Sequence, residues 1–185
     1  MSQSSWNECL TAAQLAGANL TASTTPTSLV PQQAKFTMPA GLLMTPGKTL
    51  EFTICGQISN IITTPGTFTP DIRFGSTVVI NGGAQQLNAV AKTTVPFIIK
   101  WYATVRAVGS SANLMPFGFM ISEAFVGSPT QAVGGAGVGM LPATTPAVGS
   151  NFDSTAAQTI DVFGTFSLNN ANAVQLQLFT AKLIN

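Results

Sequence analysis

The stretch 159-TIDVFGTFSLNNANAVQLQLF-179 decides the fold class. In steps of two, one side of its first half reads Ile160, Val162, Gly164, Phe166 and Leu168. After an Asn-Ala turn the second half repeats the pattern with Val174, Leu176 and Leu178. A period of two indicates a strand with one buried face, so the stretch predicts a β-hairpin. The opposite side carries Thr, Ser and Gln with a single charge.

The whole chain shares this shortage of charge. Charged residues make up 7% of 185 residues, whereas about 25% is usual for soluble globular proteins. The formal net charge is +1, so little electrostatic repulsion keeps copies apart, and the composition favours association with other chains. The length fits one domain with a tail.

Several partners are excluded by composition. The seven basic residues are scattered singly and cannot follow a phosphate backbone, so we expect no nucleic-acid partner. No window approaches about 18 apolar residues, and the start MSQSSWNECL lacks the features of a signal peptide, so we expect cytoplasmic synthesis and no membrane span. For Cys9 and Cys55 the favoured interpretation is two free thiols, with a disulfide as the alternative.

The N-terminal part differs from the rest. Residues 4–18 are the one helix candidate, because Ser5 and Glu8 form a capping-box pattern. Residues 19–47 contain four prolines and predict an extended arm. We therefore divide the chain into an N-terminal segment, 1–47, and a β domain, 48–185.

The β domain shows alternating segments with predicted inner rows. The rows are Leu50, Phe52, Ile54 and Ile58; Ile72 and Phe74; Phe97, Ile99, Trp101, Ala103 and Val105; and Met115, Phe117, Phe119 and Ile121. The Gly/Pro-rich stretch 127–151 has no period and predicts a contact loop. About eight strands at this spacing predict an all-β fold, a jelly-roll-like antiparallel β-sandwich with an extended N-terminal arm.

The sequence offers little for catalysis. It contains no histidine, which removes the commonest general base, the commonest metal ligand and every Ser-His or Cys-His pair. The six carboxylates fall at ordinary strand, turn or cap positions, with Glu51 and Asp161 predicted to face outward, so a glycosidase pair is not favoured. The run 134-GGAGVG-139 lacks the Lys-Ser/Thr of a P-loop. We expect no enzyme, no cofactor and no bound metal.

Apolar residues on the predicted solvent side are more informative. They are Ile98, Tyr102, Val108, Val79, Phe163 and Phe179. A sheet that is apolar on both faces needs a second partner, which oligomerisation would supply. We predict interaction residues at Tyr102, Ile98, Phe163 and Phe179, with Tyr102 also suited to stack on a sugar ring. The alternative is a register error of one residue, which would exchange the faces of a strand.

Four segments in order carry a resemblance to a known family. They are KTLEFTICGQIS, PDIRFGSTVV, PFIIKWYATVRAVGSSANLMPFGFM and FDSTAAQTIDVFGTFSLNNANAVQLQLF. They resemble a group of tailed-bacteriophage virion proteins, in which an (apolar)-R-(apolar)-G strand precedes a long strand ending in V-R-(apolar)-V-G. In that group a hairpin beginning D-(S/T)-(S/T) closes the domain. The resemblance covers about residues 47–184, apart from the loop at 127–150.

The resemblance implies a jelly-roll protein, usually trimeric, that serves as a head decoration (cement) protein or as a tail or fibre component. It implies a location on the capsid surface of the virion, with other copies and the major capsid protein as partners, and no catalytic residues. The alternative is a tail or head-fibre protein that binds host-surface glycans. The N-terminal segment 1–47 departs from the group's commoner form, and we expect it to act as a clamp over neighbouring capsid subunits.

Overall fold

In a computed structural model, which describes residues 6–61, 63–127, 137–149 and 151–184, strands stack into two antiparallel sheets. The strands are β1 (Asn7–Ala12), β2 (Leu20–Thr21), β3 (Thr27–Ser28), β4 (Phe36–Met38), β5 (Thr49–Asn60), β6 (Thr67–Phe74), β7 (Thr77–Asn81), β8 (Gln85–Leu87), β9 (Lys92–Ala107), β10 (Asn113–Ile121), β11 (Phe125–Gly127), β12 (Val138–Leu141), β13 (Gln158–Phe166) and β14 (Ala173–Ile184). The predicted all-β sandwich is confirmed.

Each sheet has seven strands within the described part of the chain. Sheet A runs β1-β14-β5-β9-β10-β12, with β2 also paired to β14. Sheet B runs β11-β8-β6-β13-β3, with β4 paired to β13 and β7 paired to β6. The pair β5–β14 of sheet A continues into the pair β6–β13 of sheet B, so the two pairs wrap around the core together, as in a jelly roll.

The predicted closing hairpin is wrong. β13 pairs with β6 in sheet B and β14 pairs with β5 in sheet A, so the connection between them crosses from one sheet to the other. Asn172 in this connection is fully buried; its Oδ1 accepts from Ile61 N at 3.0 Å and its Nδ2 donates to Pro65 O at 2.6 Å. Asn172 thereby connects the β5–β6 crossover to the β13–β14 crossover. The sequence could not distinguish a hairpin from a crossover, because the strands have a period of two in both.

The core lies between the sheets, where the predicted inner rows of β5, β6 and β9 are confirmed. Each of those side chains is at most 2% exposed. Phe68 and Phe166 bring their ring centroids to 5.3 Å across two neighbouring strands. Burying each such aromatic side chain contributes about 1.5–3 kcal/mol.

The predicted inner row of β10 is wrong by one residue. A register shift follows Asn113, and the buried positions are Leu114, Pro116, Gly118 and Met120. Position 118 faces the core, and only glycine fits there because a Cβ would overlap the indole ring of Trp101. Phe117, Phe119 and Ile121 therefore face out of sheet A.

The predicted N-terminal helix is also wrong. Among the described residues of this segment, 7–12 form β1 along β14, β2 also pairs with β14, and β3 and β4 pair with β13. Its apolar side chains enter the core at Leu20, Leu29, Val30, Ala34, Met38 and Leu43. Edge pairing satisfies the backbone hydrogen bonds of this segment, so it is extended but lies on its own sandwich.

The predicted contact loop at 127–151 is described only in part. Its described residues include β12, which pairs with β10, while residues 128–136 and 150 lie outside the described ranges. Across the described residues, no helix is both long enough and apolar enough to cross a membrane.

Candidate interaction surface

The outer face of sheet A carries a row of apolar side chains that crosses five neighbouring strands. Its register partners in order are Leu178 on β14, Cys55 on β5, Ile98 on β9, Ile121 on β10 and Val138 on β12. All are exposed except Cys55, which is half-buried. Because neighbouring strands lie about 4.8 Å apart, the row is about 19 Å long.

Two shorter rows widen this surface on one side. In the first, Phe119 on β10 lies opposite Met140 on β12, whose side chain is 65% exposed. In the second, Tyr102 on β9 lies opposite Phe117 on β10, and both rings are exposed. We call the combined surface the apolar strip: Cys55, Ile98, Tyr102, Phe117, Phe119, Ile121, Val138, Met140 and Leu178.

One ion pair lies inside the apolar strip and cancels its charge. Lys100 Nζ donates to Glu51 Oε1 at 3.2 Å, and this hydrogen bond raises the pKa of Lys100 above its ordinary value. Desolvation raises the pKa of the Cys55 thiol, although the charge of Lys100 acts in the opposite direction. At neutral pH the strip therefore holds a neutral thiol and one compensated cation.

Uncharged amides border the apolar strip. Gln57 Nε2 donates to Gln175 Oε1 at 3.0 Å, and Gln177 Nε2 donates to the same oxygen at 2.9 Å. Gln175 Nε2 in turn donates to Gly17 O at 3.0 Å. These amides satisfy one another at the surface without charge, so a partner that covers them strips water from no ionised group.

The four predicted interaction residues do not lie on one surface in the structure. Ile98 and Tyr102 both face outward from β9, as predicted, and lie in the apolar strip. Phe163 is in sheet B, where its ring is half-buried under the guanidinium of Arg73, with Cζ 4.1 Å from the ring centroid. It therefore does not share a surface with the first two.

The prediction that Phe179 faces outward is wrong. The side chain is 0% exposed, whereas Leu178, predicted to face inward, is exposed. A register shift between Leu176 and Leu178 places two consecutive residues on the outer face, and the alternation resumes one residue out of phase. Val79, also predicted to face outward, is buried, and Val108 is half-buried against the core.

Six members of the apolar strip escaped the sequence analysis: Phe117, Phe119, Ile121, Val138, Met140 and Leu178. Three lay in the predicted inner row of β10, which is the outward face of that strand, and Leu178 lay at the bulge of β14. Val138 and Met140 fell in the stretch predicted to be a loop, although 138-VGML-141 alternates between exposed and buried positions. That short alternation was the feature that could have indicated a strand here.

Charges outside the apolar strip are largely paired. Lys35 Nζ lies 2.7 Å from Asp161 Oδ2, Arg73 Nε 2.8 Å from Asp71 Oδ1, and Lys92 Nζ 2.8 Å from Glu123 Oε2. With Lys100–Glu51, four of seven basic and four of six acidic side chains are thus engaged. The hydrogen bond to Asp71 raises the pKa of Arg73.

Asp161 is buried at 7% exposure, although its position was predicted to face outward. Its carboxylate accepts hydrogen bonds from Ser28 Oγ and from Val162 N, each at 2.8 Å, besides its ion pair with Lys35. The N-terminal segment thus covers it and compensates its charge.

A cleft of about 500 Å³ lies between β7 and residues 142–149. Its lining is Val78, Val79, Asn81, Gly83, Pro116, Pro142, Thr144, Thr145, Ala147, Val148 and Gly149. None of these side chains ionises near neutral pH, so the cleft offers no acid or base. Within the described ranges no group of three or more His, Cys, Asp or Glu residues could hold a metal, and Cys9 and Cys55 are free thiols.

Comparison with known proteins yields little. No protein-family model matches the chain, and no curated protein matches it. Among solved structures, the CBM2 module of Lactobacillus casei BL23 phage J-1 evolved Dit is similar with a TM-score of 0.31 and 10% sequence identity. The similarity covers 86% of this chain and 75% of that chain. A TM-score of this size carries no inference about this chain.

Proposed function

We propose that this chain is a structural virion protein of a tailed bacteriophage, a decoration (cement) protein that stabilises the head shell as a homotrimer. The apolar strip carries the proposal, because a contiguous apolar patch of this kind on one face of a monomer is typical of a protein–protein contact. The sequence resemblance to phage virion proteins supplies the setting for that contact.

The rest of the surface supports an assembly role. A decoration protein works by burying area against its neighbours, so its stabilising effect follows from mass action over many contacts and requires no chemistry. Four ion pairs within the chain compensate most of its charged side chains. Covering such a surface avoids most of the free-energy cost of desolvating isolated charges.

The N-terminal segment would contribute through its outer side. Since residues 7–38 supply β1 to β4, deleting residues 1–47 removes core side chains such as Leu29 and Met38 together with any clamp. Loss of capsid binding after that deletion could therefore result from the missing clamp or from unfolding of the domain. Substitutions at exposed positions such as Trp6 and Leu15 test the clamp without opening the core.

Copy number on the virion tests the proposed function. Particles of the phage that encodes the chain are purified, and the chain is quantified against the major capsid protein by mass spectrometry with isotope-labelled standards. A decoration protein is expected at hundreds of copies per particle, with density on the shell in cryo-electron microscopy. A handful of copies at one vertex, or none, would refute the decoration role.

A second candidate function is a tail or head-fibre protein that binds host-surface glycans. The observation that favours it is the exposed Tyr102–Phe117 pair beside the Lys100–Glu51 ion pair. Aromatic faces pack against the C–H face of a sugar, and charged neighbours can bond its hydroxyls. Binding to host polysaccharide that Tyr102→Ala abolishes, with copy number confined to the tail, would favour this function over decoration.

A further inference from the structure

The apolar strip exposes enough surface to hold two chains together. Seven of its side chains are exposed, each by 40–65%. Taking about 150 Å² as a whole apolar side chain, the low end of the aromatic range, these expose roughly 500 Å² of apolar area per copy. A standard stable interface of roughly 800 Å² per partner is about 60% apolar, so it needs about 480 Å² of apolar area from each copy, which the strip supplies.

The charge of the strip indicates what covers it. Lys100 and Glu51 neutralise each other, and the amides of Gln57, Gln175 and Gln177 are bonded among themselves. A strongly charged partner would bury charges that the strip cannot compensate. A second copy brings a net charge of only +1 and a surface whose charges are already largely paired, so little repulsion opposes the contact.

We propose that a second copy of this chain covers the apolar strip, so that the outer face of sheet A is the contact between copies and another surface meets the capsid. The inference rests on the proposed function in that it takes the chain to be an assembly protein, and it names the partner of the strip. In a closed trimer the strip of each copy meets the flank of the next; in a two-fold dimer it meets another strip.

Self-association in solution tests the inference without any capsid. The full chain is studied by sedimentation over a wide concentration range, beside the double variant Ile98→Asp/Ile121→Asp and the control Val90→Asp. Val90 is 61% exposed and lies between β8 and β9, outside the strip. We expect the wild type and the control to associate alike and the double variant to dissociate with a constant at least about 100-fold higher.

The two native thiols provide a second readout, which in the wild type needs no substitution. Cys55 lies inside the strip, whereas Cys9 is exposed on the edge strand β1, opposite Lys182 and three strands from Tyr102. At fixed pH, maleimide labelling of Cys55 in the wild type should slow at least about tenfold as the chain associates. Cys9 should slow less than Cys55, and the labelling rate of Cys55 in the folded double variant should not change with concentration.

Three results would overturn the inference. They are a wild type that stays monomeric at all concentrations, a folded double variant that associates like the wild type, and a Cys55 labelling rate that is constant while the mass increases. Strip-dependent association of a chain that is absent from the virion shell would refute the proposed function and leave this inference standing. Shell decoration by a folded double variant that still associates like the wild type would refute the inference alone.

Discussion

The two sheets differ in how far the side chains on their outer faces are covered by the rest of the chain. In sheet B the outward ring of Phe163 lies under the guanidinium of Arg73, and the carboxylate of Asp161 is covered by Lys35 and Ser28 of the N-terminal segment. In sheet A the outward side chains of β9, β10 and β12 have no such cover from the described part of the chain and remain exposed.

The difference shows which outer face is covered by residues of the same chain. The N-terminal segment pairs along β13 and brings Lys35 and Ser28 to the outer face of sheet B, so that face is compensated within one chain. On sheet A the described residues of the same segment pair with β14 alone, at the end opposite β12. The described part of the chain thus leaves the apolar strip uncovered, and both proposals start from this exposed surface.

The largest expected effect tests the bulge that separates the strip from the core. Phe179→Ala should lower the free energy of unfolding by about 3–5 kcal/mol, because it empties a fully buried site. Leu178→Ala, one residue earlier, should change it by less than about 1 kcal/mol in the monomer, because that side chain is exposed. Urea denaturation measures both, and similar losses would contradict the described register of β14.

The next effect tests why Phe117 and Ile121 face outward. Gly118→Val should destabilise the fold by about 3 kcal/mol, since its side chain would overlap the Trp101 ring and the Lys100 carbonyl. The control on the same strand is Phe117→Val, which alters an exposed side chain and should cost less than about 1 kcal/mol in the monomer. A well-tolerated Gly118→Val would mean that β10 presents its other face to the core.

A third effect compares the ion pairs of the two sheets. Asp161→Ala should cost about 2–4 kcal/mol, because it leaves the hydroxyl of Ser28 and the ammonium of Lys35 without their partner at a buried site. Glu51→Ala should cost no more than about 1 kcal/mol, because Lys100 stays accessible to water. Equal losses in thermal denaturation would indicate that the two faces are covered to the same extent.

The smallest effect concerns the thiol of the apolar strip. Burial raises the pKa of Cys55 above its ordinary value of 9.0, and the positive charge of Lys100 pulls it down. Lys100→Met should therefore raise this pKa further and slow maleimide labelling at pH 8.5, because the thiolate is the reactive form. The effect is read at concentrations at which the wild type and the variant are both monomeric, and a faster reaction would mean that Lys100 does not stabilise the thiolate.

Individual residues show how far the sequence predicted the structure. The rows Leu50–Ile58 and Phe97–Val105 were predicted correctly because an uninterrupted strand keeps its period of two. The row of β14 failed beyond Leu176, where a register shift exchanges the faces. The row of β10 failed although that strand alternates without interruption, because both of its faces carry apolar residues and the face with Gly118 is the buried one. Of the candidate surface, Ile98 and Tyr102 were found because they lie on such an uninterrupted strand.

The N-terminal segment failed for a different reason. A capping-box pattern is a local preference, and it was overridden by pairing with β14, a strand more than 160 residues away in the chain. The same holds for β13 and β14, whose patterns fit a hairpin as well as a crossover between sheets.

The sequence by itself determined that the chain would be an all-β sandwich with few charges, because alternation and composition are local properties of the residues. Only the tertiary structure decided which outward side chains would be covered. That outcome depends on strand order, on single-residue bulges and on the path of the N-terminal segment, and each of these brings together residues that are distant in the chain.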